Sequence, residues 1–367
     1  MKAYIVETEK LDHNIGILKQ KAGSATVWGV VKGNGYGLGA AKLALALKKQ
    51  GIDHFAVTDP EEAMAIREAG LREEAILMLR ASSCRQELQE LLRLDVICTL
   101  GSLEDGEALN AVAAAMGKTA QAHVKLDTGM GRYGFLPEQT DEAAALWEYD
   151  HIGIRGIFTH FHTAGNEKVT GQQFSQFMSA VTTLKQRGLD VGMVHCCNSL
   201  GFWYYPQMHL DAVRLGSCLL GRVGYADKAG LKRVGYAQAQ VEALRIIPRG
   251  HNVGYGGDCT VKRDTRIAVI GIGYLHGYSV ERGYDIFRVR DCLRSMGRYF
   301  KYMLKRRCLT VEVNGRTCKV LGHVGMVNLI ADVTEVPCVL HDPVKVQINP
   351  LDLKGMEVIF RQKEGAV

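Results

Sequence analysis

Eight short apolar runs, each followed by a stretch of helical periodicity, recur through the first two thirds of the chain, and this alternation constrains the fold more than any other feature. The runs lie near residues 27–31, 54–58, 75–79, 95–99, 121–126, 154–159, 191–195 and 211–215. The segments between them carry helix punctuation: Pro60 to Ala69 has proline in its first turn and Gly70 at its close, and Leu103 to Met116 is followed by Gly117. Strands covered on both faces read as continuous apolar runs, and parallel neighbours need a crossover, usually a helix. Eight such units predict an α/β fold, a (β/α)8 barrel of the TIM type, in preference to a six-stranded dinucleotide-binding sheet.

Two flanking regions break the rhythm. Residues 2 to 7 read as a strand and Leu11 to Lys21 as a helix. Beyond about residue 233, Val234 to Arg245, Arg266 to Ile272, Thr310 to Val313, Cys318 to Leu321, Leu329 to Val333 and Pro343 to Val346 are short strands between Gly, Pro and Asn turns, the pattern of an all-β module. The expected organisation is a barrel over 1–233, with residues 1–10 available to pair with the second domain, and a carboxyl-terminal β domain over 234–367. An insertion at 286–307 interrupts that domain. Val289, Leu293, Met296, Phe300 and Met303 recur there at helical steps among Arg288, Arg290, Arg294, Arg298, Lys301, Lys305, Arg306 and Arg307. The spacing predicts a basic amphipathic helix, packed on its apolar side and solvated on the other; an anionic surface or a partner protein is the less common use.

Composition excludes several classes. The 367 residues are 47% hydrophobic and 23% charged, ordinary for globular domains. A net charge of +6 helps attract anionic metabolites but is mild and dispersed for a nucleic-acid binder. The longest apolar runs, such as Ile267 to Ile272, fall far short of a membrane span, and the amino terminus lacks a basic-then-apolar signal region, so a soluble cytoplasmic protein is expected. Ten cysteines include no CxxC pair and no metal-ligand spacing, and Cys196 and Cys197 are adjacent; they read as small buried residues in a reducing compartment.

Barrel enzymes build their sites at the carboxyl ends of the strands. The polar residues fall there: Lys32, Asp59, Arg80, Lys125 with Asp127, His160, His195 with Asn198 and Ser199, and Arg214. Lys32 stands out, since a lysine leaving a buried strand into a glycine-rich loop suits Schiff-base chemistry with a carbonyl cofactor. Two other readings compete at this point. A strand-end lysine can be merely solvated, and Gly35, Gly37 and Ala40, with Asp59 about 20 residues further on, match a GxGxxA dinucleotide fingerprint and hence an NAD-dependent dehydrogenase.

Seven motifs in order carry a resemblance across nearly the whole chain: VVKGNGYGLG at 30–39, HVKLDTGMGRYGF at 123–135, THFHTAG at 159–165, HCCNS at 195–199, VRLG at 213–216, VGYGG at 253–257 and IGYLHGY at 272–278. Together they resemble the alanine racemase family, pyridoxal 5'-phosphate enzymes with an eight-stranded barrel and a carboxyl-terminal β domain. The resemblance implies an isomerase interconverting L- and D-alanine, or a related small amino acid such as serine, of the kind that supplies D-amino acids to peptidoglycan precursors. It implies Lys32 as the lysine that carries the cofactor, and Tyr36, Ser199 and the backbone of Gly216 and Ser217 as phosphate contacts beside Asn198. It also implies Arg214 against the pyridine nitrogen, with His160 linking Arg214 to Tyr255.

Racemisation removes the α-proton from one face and returns a proton to the other, so two opposed acid-base groups are the simplest arrangement. By resemblance these are Lys32 for the D-enantiomer and Tyr255 for the L-enantiomer, with Tyr255 supplied by the other subunit of a homodimer that shares its active sites. Arg132 matches the arginine on the substrate carboxylate, and Lys125 a carbamylated lysine that orients it, although a plain ion pair between Lys125 and Asp127 remains open. Met326 and Tyr274 match residues that touch substrate and line its access route. The chain departs from the family where Val327 replaces an aspartate, His276 another aspartate and Leu38 a histidine, and where Asn349 to Asp352 lacks a tyrosine. These departures are expected to cluster on the substrate side, leaving the chemistry in place and the preferred amino acid open. A cofactor-binding homeostasis protein of the same barrel type is disfavoured by the second domain and its tyrosine. A fold-related decarboxylase is disfavoured by the lack of a Cys-Asp pattern.

Overall fold

The computed structural model describes residues 2–281, 288–304 and 308–362. Contacts divide the chain into two compact units, one holding Thr8–Val234 and the other Met1–Glu7 with Gly235–Arg361. The chain opens on a strand of the second unit, β1 (Ala3–Glu7), and continues into the helix Thr8–Ala22.

Eight parallel strands then close into a barrel: β2 (Thr26–Val30), β3 (His54–Val57), β4 (Ala75–Ala81), β5 (Ile97–Leu100), β6 (Ala120–Lys125), β7 (Ile152–Phe158), β8 (Met193–His195) and β9 (Ala212–Leu215). β9 pairs with β2, Thr26 opposite Ala212, which completes the ring and removes its edges. All eight apolar runs are barrel strands, displaced by at most a few residues, so the TIM-type expectation holds.

Trp28, Val30, Ala56, Leu77 and Ala212 pack together within this unit. The ring of Trp28 meets His54 edge-on at 4.9 Å and lies parallel to His195 at 6.3 Å. The interior is therefore partly built of imidazoles, which must find partners away from water. On β7 a Cβ at Gly156 would stand 2.7 Å from the His123 ring, so glycine is what makes room for that histidine.

The second unit is an eight-stranded sheet containing β10 (Gly235–Ile247), β11 (Thr265–Ile270), β12 (Thr310–Val313), β13 (Arg316–Leu321), β14 (Leu329–Asp332), β15 (Pro343–Val346) and β16 (Glu357–Arg361). Their order is β11-β14-β13-β12-β15-β10-β1-β16. A register shift between Val241 and Ala243 lets the long β10 pair with β1 and β15 over its first half and with β11 over its second. β16 is the one strand the sequence pattern does not announce. It lies parallel to β1 at the end of the sheet, and its partly buried Val358, Ile359 and Phe360 lack the alternation of a half-buried strand.

The insertion does form a helix, Val289–Leu304, while residues 286–287 and 305–307 of the expected segment lie outside the described residues. The expected packing of its apolar side is corrected by the structure. Val289, Leu293, Met296, Phe300 and Met303 are each between 58% and 77% exposed, because among the described residues no apolar surface covers that face.

Candidate active site

Lys32 leaves β2 into a turn of unusual hand. Gly33, Asn34, Gly35 and Tyr36 all have positive φ, between 50° and 63°, a conformation that glycine adopts freely and asparagine tolerates. Asn34 fastens the turn, accepting from the Ala40 N–H at 3.0 Å while its own N–H donates to Oε1 of Glu62 at 2.7 Å. Oε2 of Glu62, a buried carboxylate, takes the Thr58 N–H at 2.9 Å, and Asp59 stands at the start of the helix Pro60–Glu68. The glycines and Asp59 thus shape a left-handed turn and a helix start inside a closed barrel, which overturns the dinucleotide reading. Arg80 is likewise structural, gripping Glu87 through two hydrogen bonds of 2.8 and 2.9 Å. Burial pushes the Lys32 amine below the usual lysine range, the Arg132 and Arg214 charges lower it further, and Glu62 opposes them.

Arg214 on β9 is buried to 3% exposure and its donors are directed. Nη2 donates to the carbonyls of Thr159 at 2.7 Å and Cys196 at 3.1 Å, and Nη1 to Nδ1 of His195 at 2.7 Å. Arginine has no acceptor, so Nδ1 of His195 carries the lone pair and Nε2 the hydrogen. That hydrogen points to Nδ1 of His123, 3.0 Å away, which fixes the second tautomer too. Burial followed by the Arg214 charge depresses both imidazoles, His123 to about 3 and His195 well below 6.5, so both are neutral. The same burial brings Arg214 down to about 10, still cationic at neutral pH. His195 thus reaches the guanidinium directly, while the Arg214 charge also acts on His160. His160 lies 3.5 Å from the Asn198 amide, with burial foremost among the causes that lower it to about 3. His195 was visible as a strand-end histidine, but no spacing rule marks it as Arg214's partner.

Lys32, Tyr36, His160, Asn198, Ser199, Arg214, Gly216 and Ser217 line one cavity of about 260 Å³. At one end hydroxyls and backbone donors converge. The Gly216 N–H lies 3.2 Å from Ser199 Oγ, the Ser217 N–H donates to the Tyr36 hydroxyl, and a Cβ on Gly216 would sit 2.1 Å from that hydroxyl, leaving glycine as the residue that fits. Asn198 works within the chain: Oδ1 accepts the Leu200 and Gly201 N–H groups that begin the helix Ser199–Tyr204, and Nδ2 donates to Phe161 O. Cys196 and Cys197 are buried and turn their thiols to Met208 O rather than to the cavity.

The plain ion pair between Lys125 and Asp127 is not formed. Asp127 bends back to accept the N–H groups of Gly129, Met130 and Arg132 at 2.9, 2.7 and 3.0 Å, closing its own loop. Lys125 is left among the rings of Tyr133 at 5.2 Å and Phe158 at 5.5 Å, and burial plus the charges of Arg132 and Arg214 lower its amine to about 8. Arg132 lines a second cavity, of about 550 Å³, with Asp127 and Tyr133.

Tyr255, Tyr274 and Met326 belong to the β unit, where loop contacts join the Tyr274 and Met326 segments. The Tyr274 and Leu275 N–H groups donate to the carbonyls of Gly325 and Met326 at 3.1 and 3.0 Å, and a Cβ at Gly254 would lie 3.6 Å from the backbone nitrogen of His323. All three side chains are exposed, Tyr255 most of all at 76%. Two of the departures are interior residues. Leu38 is wholly buried in the barrel unit, and His276 is buried in the β unit, accepting the Gly273 N–H at 3.1 Å with Lys2 Nζ 3.2 Å from its other nitrogen. Those substitutions change packing; Val327, beside Met326, is exposed.

Comparison with known proteins identifies the family and the fold. The family models for the alanine racemase N-terminal and C-terminal domains match residues 6–223 and 234–351. The alanine racemase of Desulforamulus reducens is 30% identical over 349 residues, 92% of this chain and 88% of that protein, and that of Symbiobacterium thermophilum 32% over 299 residues, 78% of each. The solved alanine racemase of Clostridium difficile 630 shares the fold with a TM-score of 0.81 at 23% identity, covering 96% of this chain and 93% of that one. The biosynthetic alanine racemase from Pseudomonas aeruginosa superposes with a TM-score of 0.75 at 27% identity, covering 97% and 91%. Matched in both domains and along nearly its full length, the chain belongs to the alanine racemase family.

Proposed function

We propose that this chain is a pyridoxal 5'-phosphate-dependent racemase of alanine or a related small amino acid such as serine, acting as a homodimer with shared active sites. The observation that carries the reading is the donor set of the 260 Å³ cavity. A nucleophilic lysine and a permanent cation accompany a cluster of hydroxyls and backbone N–H groups around Gly216, where a Cβ would collide with Tyr36. That set fits an anionic phosphate, an aldehyde and a ring nitrogen in one molecule.

Bound there, the cofactor would supply the electron sink that makes the substrate α-proton acidic. Tyr36, Ser199 and the backbone of Gly216 and Ser217 would hold its phosphate, with Asn198 and His160 walling the cavity. Arg214 would face the ring nitrogen; held by His195 and two carbonyls, it is oriented before binding and keeps its own protons. Lys32 Nζ takes or returns the proton on the face of the D-enantiomer, and its lowered basicity makes the neutral amine more available. Tyr255 of the partner subunit does so on the opposite face; its exposed side chain suits a group that completes a neighbour's site. Arg132 binds the substrate carboxylate, and Tyr274 and Met326 border the approach.

Lys125 is the candidate for carbamylation. Its amine, brought to about 8, is neutral often enough to add carbon dioxide, and the resulting anion would offset the charges of Lys32, Arg132 and Arg214. The side-chain preference rests on Val327, an apolar and exposed neighbour of Met326. Among the described residues no helix is long and apolar enough to cross a membrane, and all ten cysteines are unpaired, as suits the reducing cytoplasm.

The deciding experiment follows α-proton exchange and inversion of L-alanine and L-serine in D₂O with wild type, Lys32→Ala and Tyr255→Phe. Exchange with inversion in wild type and loss of turnover in both variants are expected, and the faster substrate names the specificity. Binding of the cofactor without exchange of any small amino acid would overturn the racemase reading in favour of a cofactor-binding role.

A further inference from the structure

The helix Val289–Leu304 takes no part in the chemistry above, and its surface is sharply divided. At about 100° per residue, Val289, Leu293, Met296, Phe300, Met303 and Leu304 fall within a sector about 100° wide, and Arg290, Arg294, Arg298 and Lys301 fill about 80° beside it. None of its sixteen residues is buried. The one acidic side chain, Asp291, lies 3.7 Å from Arg294. Tyr299 falls about 40° outside the apolar sector, where an amphipathic ring favours a water–hydrocarbon boundary, and its ring centroid is 6.2 Å from that of Tyr302.

Charge says what covers this face. Residues 288–307 hold eight of the chain's 45 basic residues and one of its 39 acidic ones, so they carry +7 while all the remaining residues together carry −1. The net charge of +6 is thus concentrated in the insertion rather than dispersed. A second copy of the helix laid against the first would set cation beside cation. An anionic surface meets the apolar stripe and the arginines at once.

We propose that this helix docks the protein on membranes rich in anionic phospholipid, lying in the plane of the interface with Leu293, Met296 and Phe300 among the acyl chains and the arginines at the headgroup phosphates. Sixteen residues span about 24 Å, too short to cross a bilayer but long enough to lie on one. The attachment is peripheral, reversible and independent of the catalytic reading.

The test uses the full chain and vesicles of phosphatidylglycerol and phosphatidylcholine in equal parts, against vesicles of phosphatidylcholine alone. Co-sedimentation with the anionic vesicles is expected, weakened at least about tenfold by about 0.5 M salt. The double variant L293E/F300E and the triple variant R290Q/R294Q/R298Q should each bind at least about tenfold more weakly, with racemase activity and thermal unfolding unchanged. In a separate F300W protein, tryptophan emission should shift to the blue when anionic vesicles are added. Absence of binding, or equal binding to both vesicle types, overturns the proposal. So does a larger assembly that L293E/F300E dissociates in the absence of vesicle binding, which would make a second copy of the helix the occupant.

Discussion

Nη1 of Arg214 donates to Nδ1 of His195 across 2.7 Å, and this bond sets the polarity of the barrel interior from the guanidinium down to His123. His195→Phe keeps the ring stacked on Phe158 but removes the acceptor from a buried charge. A loss of about 1.5–3 kcal/mol in urea unfolding at neutral pH is expected. The proton linkage adds a second signature. His123, His160 and His195 all titrate below 6.5 in the folded chain, so the unfolded chain binds more protons as pH falls through 6.5, and stability falls with it. Unfolding free energy measured from pH 7 to 5 should decline less steeply in His195→Phe. An unchanged slope would remove His195 from the set of buried neutral imidazoles.

Lys125 predicts the alkaline side. Its folded value of about 8 lies below the ordinary 10.5, so the unfolded chain binds the extra proton between those limits. Stability contributed by this group is therefore lowest below pH 8 and is regained as pH rises towards 10.5. In buffer free of carbon dioxide, the stability difference between wild type and Lys125→Met should drift in favour of wild type over that window. Adding bicarbonate at neutral pH should increase the intact mass by one carbon dioxide in wild type and not in the variant. A flat difference and an unchanged mass would leave Lys125 an ordinary buried cation.

Gly216 and Tyr36 should be energetically coupled. A methyl at Gly216 meets the Tyr36 hydroxyl and ring carbons, so Gly216→Ala is expected to cost about 1–3 kcal/mol and to weaken cofactor binding. Tyr36→Phe shortens the side chain at the point of contact. In a double-mutant cycle by thermal unfolding, Gly216→Ala should cost less in the Tyr36→Phe background. Additive losses would show that the two residues do not meet.

Glu62 is the positioning residue the sequence does not reveal. Glu62→Ala leaves the N–H groups of Asn34 and Thr58 without their acceptor and should destabilise by about 2 kcal/mol. It also removes the one opposing charge on Lys32, so that amine should titrate lower still. The pH dependence of cofactor attachment, followed by visible absorbance, should move to lower pH. A shift the other way would mean that Glu62 does not act on Lys32.

What the sequence determined by itself was the architecture and the carriers of chemistry. Continuous apolar runs at regular spacing can be buried only between helices, and eight of them close a ring. Lys32, Tyr36, Ser199, Gly216 and Arg214 belong to local motifs, so their shared cavity follows once the ring exists. Tertiary structure decided the partners. His195 holds Arg214, Asp127 closes its own loop in place of pairing with Lys125, Glu62 clamps the lysine turn, and Leu38 and His276 are interior residues. Each of these depends on which side chains converge from distant strands and loops, a relation that linear spacing does not encode. The insertion shows the same division: its periodicity made a helix, while among the described residues no apolar surface faces that helix, which leaves it bare.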